Sequence, residues 1–301
     1  MESNANGNWT LRRHVGFGRH GRGLTGPAQI LFVVVLAGVV ALQAVAGERR
    51  GGCRPCPNEV RCDGFKPTCC GGPGPDLLAG TDGADVIHGL GGDDVISGGA
   101  GRDRLCGGAG SDRLVGGEGA DRMFGGPGHD RLEAGTHDDS VYGGDGNDAL
   151  DGGHGDDGLW GESGDDALFG NWGDDNLYGG SGEDHLVGGL GADKLFGQRG
   201  RDVLCGGAGN DFLSGQEAAD VACGGEGEDR IFGRAGNDLI HSDLCAGGDD
   251  GIGTDVVDAG PGEDACFGNE AAGLAGCESV EPVEATEPTL RGACEFIGPP
   301  W

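Results

Sequence analysis

Aspartate returns every nine residues through most of this chain. The series runs Asp76, Asp85, Asp94, Asp103, Asp112, Asp121, Asp130, Asp139, Asp148, Asp157, Asp166, Asp175, Asp184, Asp193, Asp202 and Asp211, then Asp229 and Asp238, and resumes at Asp255 and Asp264. Asp220 keeps the same phase inside a degenerate repeat. Carboxylates at a strict spacing, set among turn-forming glycines, supply hard oxygen donors and no soft ones. That chemistry suits calcium, which takes six to eight oxygens at about 2.3–2.6 Å, better than magnesium, which demands a stricter octahedron. Aspartates that only close turns need no such invariance. Without a cation, carboxylates stacked about 4.8 Å apart would repel one another along the array.

The elements that must hold these carboxylates follow from the other positions of the repeat. With Gly71 as position one, the nine-residue register runs unbroken to His241, which makes 19 repeats with aspartate always at position six. Position one is glycine in 18 of them and position four in 17. Glycine accepts positive φ and lets backbone approach closely, so the first six residues read as a tight turn and the last three as a short strand. Position eight is Leu, Ile, Val or Met in 18 repeats and points inward between its neighbours. One aliphatic side chain per repeat makes a core only when repeats stack, as in a solenoid with two facing sheets. Eight residues, 242–249, interrupt the pattern before two further repeats.

In this form, G-G-x-G-x-D-x-U-x, the phrase resembles the calcium-binding nonapeptide of the RTX, or hemolysin-type, family over residues 71–267. The resemblance implies an all-β fold, a right-handed parallel β-roll with two nonapeptides per coil. It also implies multiple Ca2+ ions, each held between turn n and turn n+2 by main-chain carbonyls and position-six carboxylates. Asp76 would then share an ion with Asp94, and Asp85 with Asp103. Nineteen turns paired this way hold at most 17 ions. Two repeats depart from the pattern: "AGTHDDSVY" carries His137, and "GQEAADVAC" carries Ala218 and Ala222. Both are expected to bind weakly. The family's toxins and proteases leave the cell through a C-terminal signal and are poor in cysteine, unlike this chain, so toxin biology is not carried over.

Composition sets the surroundings. Acidic residues outnumber basic ones 51 to 20, for a net charge of −31, which argues against nucleic acid or an anionic membrane as partner and for cations. Arg12, Arg13, Arg19 and Arg22 precede the apolar run Ile30–Leu42 and then Ala44-Val45-Ala46, the pattern of a secretory signal peptide over 1–46. An uncleaved anchor is the rival, but 13 apolar residues are short for a span. The mature chain would be extracellular, with no membrane contact. Its parts are a Cys-rich cap (47–70), the roll (71–241 and 250–267) and a C-terminal tail (268–301).

Twelve cysteines in an exported chain point to disulfides, with zinc at Cys53-x-x-Cys56 and Cys69-Cys70 the weaker reading. Cys205 and Cys223, both at position nine and 18 residues apart, should stack and bond. Cys53, Cys56, Cys62, Cys69 and Cys70 leave one thiol over, which Cys106 completes. Cys245, Cys266, Cys277 and Cys294 form a C-terminal group. No H-E-x-x-H, G-x-S-x-G or Walker A motif occurs, and the expectation is a non-enzyme acting as a calcium-dependent structural or binding module. Position nine of alternate repeats reads Phe124, Tyr142, Trp160, Tyr178, Phe196, an outward ladder on one face. It serves either cross-strand stacking or, as the alternative function, an adhesin surface for extracellular polysaccharide or a cell-surface component.

Overall fold

The computed structural model describes residues 2–3, 9–10, 53–242, 255–267, 273–275 and 279–281. The chain divides into Met1–Glu48 and Arg49–Trp301. In the first unit, Glu2–Ser3 pairs antiparallel with Trp9–Thr10. The expected leader over 1–46 falls almost wholly outside the described residues, as do most of the C-terminal tail and the thiols of Cys245, Cys277 and Cys294. Among the described residues no helix is long and apolar enough to cross a membrane.

The second unit is a parallel β-solenoid of two 12-stranded sheets, between which consecutive strands alternate. Each strand pairs with the strand 18 residues away, so Leu132 lies between Leu114 and Leu150 in one sheet and Val141 between Met123 and Leu159 in the other. The eight-residue interruption is absorbed without loss of stacking. Arg230–Ala235 pairs with Val256–Asp258, and the Asp229 N–H donates to Asp255 Oδ1 at 2.9 Å across 26 residues.

The strands are longer than the sequence pattern indicates. From Val86–Gly91 to Arg230–Ala235 each spans six residues, positions seven to nine followed by one to three of the next repeat. Position-two glycines such as Gly117, Gly135 and Gly153 stay in the ladder at φ of 100–119°. A left-handed residue inside the strand is what kept this extension out of sight, since glycine there reads as turn.

Position eight forms the core as expected. Leu78, Ile87, Ile96, Leu105 and their successors through Ile240 form a single file between the sheets, nearly all fully buried. Each contributes roughly 1.5–3 kcal/mol of burial, so Ala222 marks a thin point in that file. The position-four exceptions keep the turn: His137 and Ala218 adopt φ of 80° and 79°. An L-residue held there costs about 1–2 kcal/mol, partly offset by the unfolded-state entropy that glycine would add. Ala218→Gly is therefore expected to raise the thermal midpoint in calcium, by up to about 1 kcal/mol of stability. A lower midpoint would mean that Ala218 carries no strain.

The N-terminal cap is tied as anticipated. Cys53–Cys69, Cys56–Cys70 and Cys62–Cys106 are bonded, the last pinning residues 53–70 to a strand of the roll. Asp63 forms ion pairs with Arg122 at 2.7 Å and with Arg104 at 3.7 Å, and the Arg104 guanidinium stacks over Phe65. Cys205 and Cys223 face each other in register on adjacent strands, and each is disulfide-bonded, as is Cys266. Non-reducing peptide mapping should recover a Cys205–Cys223 peptide pair. Either cysteine joined elsewhere would displace the 18-residue register at this point.

Candidate metal centre

Every position-six aspartate from Asp94 to Asp238 sits at the end of a turn with at most 3% of its surface exposed. The two carboxylate oxygens have different surroundings. Oδ1 accepts the main-chain N–H of the aspartate one coil earlier: Asp139 N–H to Asp157 Oδ1 at 2.8 Å, Asp157 N–H to Asp175 Oδ1 at 2.7 Å. This bond repeats along both edges, from Asp76–Asp94 to Asp238–Asp264. Oδ2 is buried and accepts no hydrogen bond in the uninterrupted series from Asp94 to Asp220, and again at Asp238. Asp76 and Asp85 differ. They are less buried, and their Oδ2 atoms accept from the N–H groups of Gly72 and Thr81 at 2.5 and 2.7 Å.

Position-one glycines make room for these carboxylates. A Cβ on Gly116 would come within 2.6 Å of Asp121 Oδ2 and 2.5 Å of the Ala134 carbonyl oxygen one coil on. The same collision recurs at Gly125 with Asp130 and at Gly161 with Asp166. Position-one glycines from Gly89 to Gly233 are not left-handed, so close approach is what demands glycine there. Position-four carbonyls also project along the stack. A Cβ on Gly119 would meet the Gly101 carbonyl oxygen at 1.9 Å, and no main-chain N–H among the described residues donates to that carbonyl.

Electrostatics give the same reading. Burial pushes these carboxyls up, against the lowering effect of the N–H bond each accepts. Asp94, Asp157 and Asp166 rise to about 6, Asp130, Asp175 and Asp184 to about 7, and Asp139, Asp148, Asp211 and Asp220 to about 8. In most of these, carboxylates one coil away add to the rise. A file of buried anionic oxygens without donors is costly unless positive charge meets it. Among the described residues no three His, Cys, Asp or Glu side chains converge on one point. A cation here would therefore rest on one carboxylate oxygen per turn completed by main-chain carbonyls. That all-oxygen donor set fits calcium.

Asp139 and Asp220, in the two degenerate repeats, keep the same burial, the same Oδ1 bond and the same unsatisfied Oδ2 as their neighbours. The geometry gives no ground for setting Asp220 apart from the row. Its fixed phase in the repeat was the signal that places it there.

The aromatic column also forms. Phe124, Tyr142, Trp160, Tyr178 and Phe196 stack with centroids 4.5–5.7 Å apart and planes within 7°. The rings cover one another's faces, so this stack stabilises the sheet's outer side and offers mainly ring edges. Phe212 bridges to Phe232 past Ser214, and the opposite sheet carries two shorter stacks, His154–Trp172 and His241–Phe267.

A family model for the RTX calcium-binding nonapeptide repeat matches residues 71–105, 107–132, 124–159, 133–168, 155–186, 169–204, 178–213 and 214–244. No curated protein matches the chain.

Proposed function

The chain belongs to the RTX calcium-binding nonapeptide-repeat family, and from that premise we propose that it is a secreted, non-catalytic module whose roll is held together by rows of calcium ions along its two edges. The observation that carries this reading is the file of buried Oδ2 atoms without hydrogen-bond donors from Asp94 to Asp220. Calcium, when bound, supplies the positive charge that these oxygens lack. The ligands assigned are the position-six aspartates from Asp76 to Asp264, now with Asp220 included, together with main-chain carbonyls of the same turns. The residues themselves do the positioning: position-one glycine admits the carboxylate, and the preceding coil's N–H orients it. Secretion is supported by the basic-apolar-small order of residues 12–46 and by the disulfides of the cap, which suit an oxidising compartment.

Counting bound metal tests the proposal. Equilibrium dialysis against millimolar calcium, read by elemental analysis, is expected to find several ions per chain, with 19 as the ceiling for the 21 turns from Asp76 to Asp264 paired one coil apart. Dissociation constants should fall in the extracellular range, about 10⁻⁴ to 10⁻³ M. Magnesium at equal concentration should neither bind in that number nor compete. A stoichiometry of one or none would refute the assignment.

A further inference from the structure

Positive φ without glycine is concentrated on one face of the roll. At position two, Glu162, Gln198, Gln216 and Arg234 take φ of 78–85°, and only Gly180 interrupts them over five successive coils of one sheet. In the facing sheet, over the same stretch, Asn171 is followed by Gly189, Gly207 and Gly225. Side chains at such φ are strained, and strain of this kind collects at functional sites. A Cβ on Gly180 would press on the Glu162 carbonyl oxygen at 2.1 Å, so the strained positions hold side chains where the stack favours none.

These side chains stand two residues beyond the aromatic column, on the same outer face of the same strands. Between column and side chains lie two hollows of about 430 and 390 Å³. The first has Trp160 and Tyr178 on one side and Gln198 on the other. The second lies against Phe196 and Arg234. Gln216 and Glu217 line both, so the hollows adjoin and together mark a shallow groove along the roll axis. The Gln198 and Gln216 amides make no hydrogen bond among the described residues and face this groove. Its lining carries two acids, Glu162 and Glu217, and two bases, Arg199 and Arg234; Arg199 pairs with Glu217 at 3.6 Å, and Arg234 lies over Phe232.

We propose that this groove binds a neutral, linear polysaccharide lying parallel to the roll axis. Amides without partners suit hydroxyl groups, and the apolar margins of Trp160 and Tyr178 that line the first hollow offer nonpolar contact to the C–H groups of sugar rings. A locally neutral lining on a chain of net charge −31 selects against polyanions and gives no hold to polycations. The repeat of the lining, one strand per coil at about 4.8 Å, suits an extended ligand better than a compact one. The inference rests on the calcium-folded roll, and the test separates the two.

Full-length protein in millimolar calcium is run on native gels containing hydroxyethylcellulose, glucomannan or anionic alginate, with circular dichroism of the same samples. Retardation is expected from at least one neutral polymer and not from alginate. The double variant Gln198→Gly, Gln216→Gly should bind at least tenfold more weakly while melting at the same temperature or higher, because glycine relieves the strain. If the double variant does not fold, Gln216→Gly alone is used. A variant that binds as well as the wild type overturns the proposal, and so does one that melts lower, which would assign the amides to stacking. A folded wild type that no neutral polymer retards, or that only alginate retards, also overturns it. A chain that fails to fold in calcium removes the calcium reading and this one together.

Discussion

Chelating calcium at pH 8 is expected to abolish most of the far-ultraviolet β signal of this protein and its resistance to protease, and adding calcium back should restore both. Ordering a chain with 71 glycines is entropically expensive, and the single-file core returns only one aliphatic side chain per repeat. Against that thin margin stand the buried carboxylates, whose ionised forms have no donor at Oδ2. The sign of the pH effect follows. In the folded chain these carboxyls are raised from the usual 3.8 to about 6 at Asp157 and about 8 at Asp139, Asp148 and Asp211. Stability of the metal-free roll is thus fully present below about pH 4 and lost as pH rises through 6 to 8. Acidifying a chelated sample should recover part of the β signal. In calcium, protons compete for the same oxygens, so the calcium midpoint should rise as pH falls from 8 towards 5. A chelated protein that is equally folded at pH 4 and pH 8 would contradict both the burial and the role given to the ions.

Much of this architecture is legible in the residues, because every position of the repeat carries one job. The aliphatic at position eight, 18 residues from its stacked partner, predicts both the core and the coil length, and Leu132 between Leu114 and Leu150 meets that expectation. Counting five cysteines and adding Cys106 gives the group of six that closes the cap, but not the pairing within it, which the structure supplies. What could not be read was why a given glycine is a glycine. Position two needs positive φ inside a strand, whereas position one needs room for a carboxylate and a carbonyl oxygen, yet both appear as the same letter. The repeat pattern alone therefore gives strands of three residues where the structure has six. The split between Oδ1, bound to an N–H, and Oδ2, bound to nothing, depends on the stagger of neighbouring coils, which no single repeat encodes. The continuation of the aromatic column through Phe212 was hidden likewise, since that ring reaches the column from position seven.

Replacing Asp157 separates the two jobs of a position-six carboxylate and is expected to have the second-largest effect. Oδ1 holds the Asp139 N–H at 2.8 Å, while Oδ2 is the charge available to a cation. Asp157→Asn keeps an oxygen for that N–H and removes the charge, so it should raise the calcium midpoint while the calcium-saturated roll stays folded. Asp157→Ala removes both and leaves a buried N–H without an acceptor, a further loss of about 1–3 kcal/mol. It should therefore raise the midpoint more and lower the thermal midpoint even in saturating calcium. Because the Asp157 carboxylate lies between the coils of Asp139 and Asp175, the disturbance should reach both neighbours, visible as faster amide exchange at Asp139 and Asp175 than in distant coils. Asp220→Ala provides the comparison. The degenerate repeat around it suggested a milder effect, but Asp220 makes the same bonds, to the Asp202 N–H and to Asp238 Oδ1, at 2.9 Å each. Its carboxyl is raised to about 8, against about 6 for Asp157, so removing it relieves more unfavourable charge when calcium is absent. The two alanine variants should then shift the calcium midpoint by comparable amounts and differ in chelator, where Asp220→Ala retains more β signal. A calcium midpoint untouched by Asp220→Ala would show that its turn binds no ion and return Ala218 and Ala222 to the role of a break in the row.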